Sequence, residues 1–132
     1  MVKNYRELVV WQKAMDFVVD VYRITAKFPA GERFGLSDQL RRAAVSVPSN
    51  ISEGFGREST NDYIHFLIMA RGSLNEISTQ LEIAVRLGYM NSGTGLYSQS
   101  VEIGKLLNSM IKKLRLRSHS HSSPAAPPSP NP

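Results

Sequence analysis

The chain has no cysteine, one tryptophan and three histidines in 132 residues. Without cysteine there are no disulfides and no thiolate metal sites. Two of the histidines, His119 and His121, stand in a Ser-rich segment near the C-terminus, where a pair without a scaffold is not read as a metal site. His65 falls on the polar side of a helical pattern, next to Asp62, and reads as a solvated side chain. A di-iron bundle needs Glu-x-x-His on two helices, yet neither Glu53 nor Glu76 has a histidine three residues on. There is no G-x-x-x-x-G-K-[ST] loop, and Gly54-Phe55-Gly56 is too short to cradle a phosphate. Serines are plentiful, but none has an evident base. No catalytic residue, metal or cofactor is predicted, and an enzyme is the weakest functional reading.

Long apolar runs are also missing. No stretch approaches the ~20 residues of a membrane-spanning helix, and the N-terminus has no apolar run ending in a small-residue cleavage site. These absences predict a cytoplasmic protein with no membrane association. In that setting the match of Asn50-Ile51-Ser52 to a glycosylation acceptor is a coincidence.

What is present is helical periodicity over one domain. The fold class predicted is all-α, an up-down-up-down antiparallel four-helix bundle over residues 1–117. The remaining residues 118–132, rich in Ser and Pro, cannot form a core and are predicted to be disordered. The first helix is expected over residues 6–27. One apolar seam runs Leu8, Trp11, Met15, Val18, Tyr22 and Thr25, and a second runs Val10, Ala14, Phe17, Val21, Ile24 and Phe28. One seam suffices to pack a helix in a bundle. The excess admits two readings: burial against another subunit, or a helix sunk deeply in its own core.

The second helix is expected over residues 36–57, with a kink at Pro48 and either Ser37 as its cap or a slightly earlier start. Its apolar spacing, Leu36, Leu40, Ala43, Val47, Ile51 and Phe55, runs straight through the proline. Proline inside a helix frees the carbonyl four residues back, that of Ala44, at a cost of ~3 kcal/mol. A Ser or Asn side chain, or water, is expected to meet it. The third helix follows the capping run Ser59-Thr60-Asn61-Asp62. Its seam from Tyr63 through Leu67, Ala70, Leu74, Ile77 and Leu81 to Ala84 keeps a seven-residue repeat, which predicts shallow, coiled-coil-like packing. Gly88 ends it. The fourth helix is expected from Leu96 to about Arg115, with Leu96, Ile103, Leu107, Met110 and Leu114 inward.

Net charge is +5, which favours an anionic partner without proving one. Arg41, Arg42 and Arg57 lie on the second helix, Arg71 and Arg86 on the third, and Lys105, Lys112, Lys113, Arg115 and Arg117 on the fourth. Lys and Arg neutralise phosphates by counterion release, without needing exact geometry. The candidate nucleic-acid-binding residues are therefore Arg41, Arg42, Arg57, Lys112, Lys113, Arg115 and Arg117.

Three pieces of the chain carry a resemblance to a known family: Leu8 to Ala14 (LVVWQKA), Phe34 to Gly54 (FGLSDQLRRAAVSVPSNISEG) and Arg71 to Glu76 (RGSLNE). Their order and spacing resemble the four-helix-bundle proteins encoded in intervening sequences of bacterial 23S ribosomal RNA genes. That family includes accessory proteins of diversity-generating retroelements. The resemblance spans residues 5–114. It implies an antiparallel bundle and a homopentameric ring, with Val10, Ala14, Phe17, Val21 and Ile24 at the oligomer interface. For the retroelement members it implies binding to a reverse transcriptase and to nucleic acid through a basic surface. It implies no catalytic residue. Pro48, Asn50 and Gly54 are open to a structural or a binding role, while Arg41, Arg42 and Arg57 are read as functional. Two functions follow: a nucleic-acid-binding accessory oligomer acting on structured RNA or an RNA–DNA intermediate, or a protein-interaction scaffold with no direct nucleic-acid role.

Overall fold

The computed structural model describes residues 1–122, with side chains through Ser118. The predicted disorder of the terminal segment concerns residues that lie largely outside that range, as do the side chains of His119 and His121. Helix α1 (Val9–Thr25), α2 (Leu36–Phe55), α3 (Thr60–Arg86) and α4 (Leu96–Ser122) follow one another, with no strand among the described residues. Helix α1 packs on α2 and α4, and α3 packs on the same two. The four therefore form a square, and short connections make sequence neighbours antiparallel.

Each boundary has a local cause. Asn4 and Glu7 form a capping box around a 3-10 turn, Tyr5–Glu7, so α1 starts later than its periodicity suggests. Helix α2 is not capped by Ser37, which is buried. Instead Glu32 reaches forward from the preceding turn, and its Oε1 accepts from the Leu36 amide at 3.0 Å. Ser59 caps α3, its Oγ accepting from the Asp62 amide at 3.2 Å. At the far end of α3, Gly88 takes φ +78°. Gly88 and Tyr89 then donate their amides to the Val85 and Ala84 carbonyls, the pattern of a Schellman stop. Helix α4 runs to Ser122, seven residues past the expected end.

Pro48 sits inside α2 without ending it. Side-chain donors cluster on the carbonyls around that of Ala44. Ser46 Oγ donates to Ala43, Ser49 Oγ to Val45, and Asn50 Nδ2 to Ser46, at 2.6, 2.8 and 2.8 Å. None of these three reaches the Ala44 carbonyl itself, so they support the turn around Pro48 rather than the freed acceptor. Ser46 Oγ also meets Ser73 Oγ of α3 at 2.6 Å. Gly54 allows the same two helices to approach lower down, since a Cβ there would lie 2.7 Å from the Phe66 Cβ. Asn50 and Gly54 thereby have structural roles.

The core corrects one expectation outright. Val10, Ala14, Phe17 and Val21 are at most 3% exposed and belong to the protomer's own core. Ile24 packs against that core, partly buried. The first four cannot face another subunit without opening the bundle. The apolar surface left on α1 comprises Met15 and Tyr22 of the other seam together with Val19, which belongs to neither, all 40–45% exposed.

Candidate nucleic-acid interface

The square arrangement separates the predicted cations. Helices α2 and α4 lie diagonally and make no contact, so Arg41 and Arg42 cannot join the basic end of α4. Arg41 is instead turned inward to the end of α1. Its Nε donates to Thr25 Oγ1 at 2.8 Å, its Nη2 to the Tyr22 carbonyl at 3.3 Å, and its guanidinium lies 4.6 Å from the Tyr22 ring centroid. The last carbonyls of a helix lack amide partners and sit at the negative end of its dipole. The Tyr22 carbonyl already accepts from the Ala26 amide at 3.1 Å, so Arg41 adds its charge at the negative end of the dipole, and these contacts engage it within the fold. Arg42 is exposed and pairs with Asp38 at 2.9 Å. Arg57 pairs with Glu53 at 3.1 Å and stacks over Phe66 at 4.7 Å. Ion pairs this exposed contribute little, but each lowers the net charge offered to a phosphate.

The end of α4 differs. Lys112, Lys113, Arg115 and Arg117 are all exposed. Ser118 Oγ lies 3.3 Å from Asn61 Oδ1, which sets this end of α4 beside the start of α3 and near Arg57. Lys112 and Arg115 line an open groove of about 570 Å³ along the α3–α4 seam, together with Arg71, Asn108, Ile111 and Leu116. Arg71 and Asn108 also line the adjoining stretch, about 310 Å³, which adds Lys105, Asn75 and Tyr97. Sequence reasoning noted Arg71 and Lys105 but not that they converge with Lys112 and Arg115. Their spacing along two antiparallel helices becomes a cluster only once the pairing of α3 with α4 is known.

No carboxylate lines either stretch. Two acids are engaged on the opposite flank of α4: Lys13 Nζ pairs with Glu102 at 3.2 Å, and Gln99 donates to Asp20 at 3.0 Å across the α1–α4 seam. Charge is therefore segregated between the two sides of one helix. A cation-lined, acid-free groove concentrates positive potential.

Little else in the molecule invites chemistry. Among the described residues no three His, Asp or Glu side chains gather as a metal site, and His65 is exposed. The titrations that shift lie away from the groove. Glu32 is held below the ordinary carboxylate value, first by the Leu36 amide and then by the Tyr89 hydroxyl. Tyr89 is raised, first by its hydrogen bond to Glu32. Burial raises Tyr63. No described helix is long and apolar enough to cross a membrane.

Comparison with known proteins finds a family model and solved structures that match. The family model described as 23S rRNA-intervening sequence protein matches residues 6–109. A crystal structure from Bacteroides thetaiotaomicron VPI-5482, described as a protein with unknown function from the S23 ribosomal protein family, is 31% identical. It aligns with a TM-score of 0.72 over 79% of this chain and 99% of its own. No curated protein matches the chain. Arg71, Lys105 and Asn108 fall inside the family-matched stretch, while Lys112 and Arg115 fall just beyond it.

Proposed function

The chain belongs to the 23S rRNA-intervening sequence protein family, and from that premise we propose that it is a non-enzymatic cytoplasmic accessory protein that binds nucleic acid through the α3–α4 groove. The observation that carries this reading is the convergence of Arg71, Lys105, Lys112 and Arg115 on one groove with no carboxylate in its lining. Phosphate contacts of this kind position a polyanion without reading its sequence. The ligand is structured RNA or an RNA–DNA intermediate. Binding weakens steeply with salt, because each neutralised phosphate releases condensed counterions. Lys113, Arg117 and Arg57 extend the field at the same end of the bundle, and Arg42 lies outside it.

The protein acts as a homo-oligomer, a pentamer on the family resemblance, which repeats the groove around a ring. The surface available for self-association is the face of α1 bearing Met15, Val19 and Tyr22. That exposed face also supports a second reading, a scaffold that captures a protein partner such as a reverse transcriptase.

The test is binding of the full chain to labelled structured RNA and duplex DNA across a salt series, repeated with a K112E/R115E double variant. Salt-sensitive binding that the double variant loses supports the groove. Salt-resistant capture of a protein partner, with no nucleic-acid binding at low salt, supports the scaffold.

A further inference from the structure

The α3–α4 seam does not end where its cations end. Beyond Lys105 it passes Tyr97, which is 60% exposed in the first turn of α4. It then opens into a hollow of about 600 Å³. Tyr97 and Ser78 line both the hollow and the cationic stretch, so the two are continuous. The hollow is walled by Leu81, Ile83, Val85 and Met90, with hydroxyls of Thr79, Ser92 and Thr94 at hand. Its one acid, Glu82, is paired with Arg86 at 3.4 Å. One seam thus presents two different surfaces in series. The first sets its cations among a few apolar side chains and suits a phosphate backbone. The second suits a flat apolar ring with polar edges, since a pocket of this size with a few hydroxyls fits a small planar group.

A nucleic acid duplex satisfies only the first surface, because its base faces are stacked inside. An unpaired strand satisfies both: its backbone follows the cations, and a splayed base stacks on an aromatic side chain and offers its edges to hydroxyls. We infer that the α3–α4 seam is a single-strand site, with phosphates along Arg71, Lys105, Lys112 and Arg115 and one unstacked base held against Tyr97 in the hollow. The inference rests on the nucleic-acid reading above and sharpens it from polyanion to unpaired strand. Tyr97 and Leu116, at the two ends, are about 28 Å apart along α4 at 1.5 Å per residue. That length falls at the short end of single-strand sites, which take roughly 4–16 nucleotides.

The experiment compares three labelled probes: a ten-nucleotide oligouridine, the matching oligothymidine, and a blunt RNA hairpin with a fully paired stem. Each is titrated with the full-length wild type, Y97A, Y97F and K112E/R115E, with circular dichroism and light scattering on every variant. Tyr97 is exposed, so its loss leaves the core intact. The expected result is single-strand affinity about tenfold weaker in Y97A, the worth of one stacked base. Y97F stays at the wild-type level, and the hairpin is indifferent to both. Equal loss with oligouridine and oligothymidine assigns the site to any single strand, and loss with one alone assigns it to a strand read by its sugar or its C5 methyl group. Y97A binding single strands as well as wild type, or weakening the hairpin equally, overturns the inference, and so does a changed oligomeric state in Y97A. The reading beneath it fails separately, if K112E/R115E leaves the binding of all three probes unchanged.

Discussion

Arg71 of α3 donates through Nη1 to Oδ1 of Asn108 on α4 at 3.0 Å, bridging the groove where its two cationic stretches meet. The bond takes up one guanidinium donor and fixes the height of the group above the seam. Asn108→Asp keeps the bridge but places a carboxylate in an otherwise acid-free lining. RNA affinity should fall at least about tenfold, as juxtaposed like charges cost several kcal/mol. Thermal stability should hold or rise slightly. A filter-binding titration beside a melting curve checks both.

Arg41 gives the opposite separation. It ties α2 to the end of α1 through Thr25 and Tyr22. Arg41→Ala should destabilise the fold by about 1–2 kcal/mol, the range of a charge-assisted hydrogen bond with some cation–π support. RNA affinity should stay within about twofold. Urea unfolding with an unchanged slope identifies the effect as one on the native fold.

Gly54 and Gly72 form a matched pair on facing helices. Alanine in a helix is favoured over glycine by about 1 kcal/mol. At Gly72 a Cβ meets nothing within 4 Å, and at Gly54 it meets the Phe66 Cβ at 2.7 Å and Tyr63 Cδ1 at 3.0 Å. Gly72→Ala should therefore stabilise the protein, and Gly54→Ala should destabilise it by about 1–3 kcal/mol through overpacking. Opposite shifts of the denaturation midpoint are the expected signature.

The latch between Glu32, the Leu36 amide and Tyr89 makes a pH prediction. Tyr89 donates its hydroxyl to Glu32 Oε2 at 2.8 Å. The folded pKa of Glu32 lies below its ordinary value of 4.5. Its contribution is thus complete above that value and is lost as pH falls through the lower folded one. Between pH 7 and pH 3 wild type should lose more stability than Glu32→Gln, measured as the difference in urea midpoint. Equal losses in the two proteins would remove the latch from the account.

The bundle itself was largely legible in the sequence. The seven-residue repeat from Leu67 to Ala84 is the buried seam of α3, and Ser59 and Gly88 punctuate it as their chemistry requires. The periodicity of α4 found Leu96, Ile103 and Leu107, but it chose Met110 and Leu114 where Ile111 is the fully buried residue. The buried positions there step by four twice, Ile103, Leu107 and Ile111, where a 3,4 repeat steps to Met110. The two seams of α1 were visible, but not which of them faces inward. That choice depends on where α2 and α4 sit, and no local pattern encodes it. The same holds for the groove. Arg71 and Lys112 are 41 residues apart in the chain, so their meeting follows from helix pairing rather than from any motif. The packing contact of Arg41 was hidden for a related reason, since its partner Thr25 lies on another helix.

The most direct test is the salt dependence of RNA binding by the full chain, wild type against K112E/R115E. Wild type should bind tightly at low salt and lose affinity steeply as salt rises. The double variant should bind more weakly, with a shallower slope of log K against log salt by roughly one to two, as each lost phosphate contact removes about 0.7–0.9. An unchanged affinity and slope in a well-folded double variant would contradict the α3–α4 groove as the nucleic-acid site.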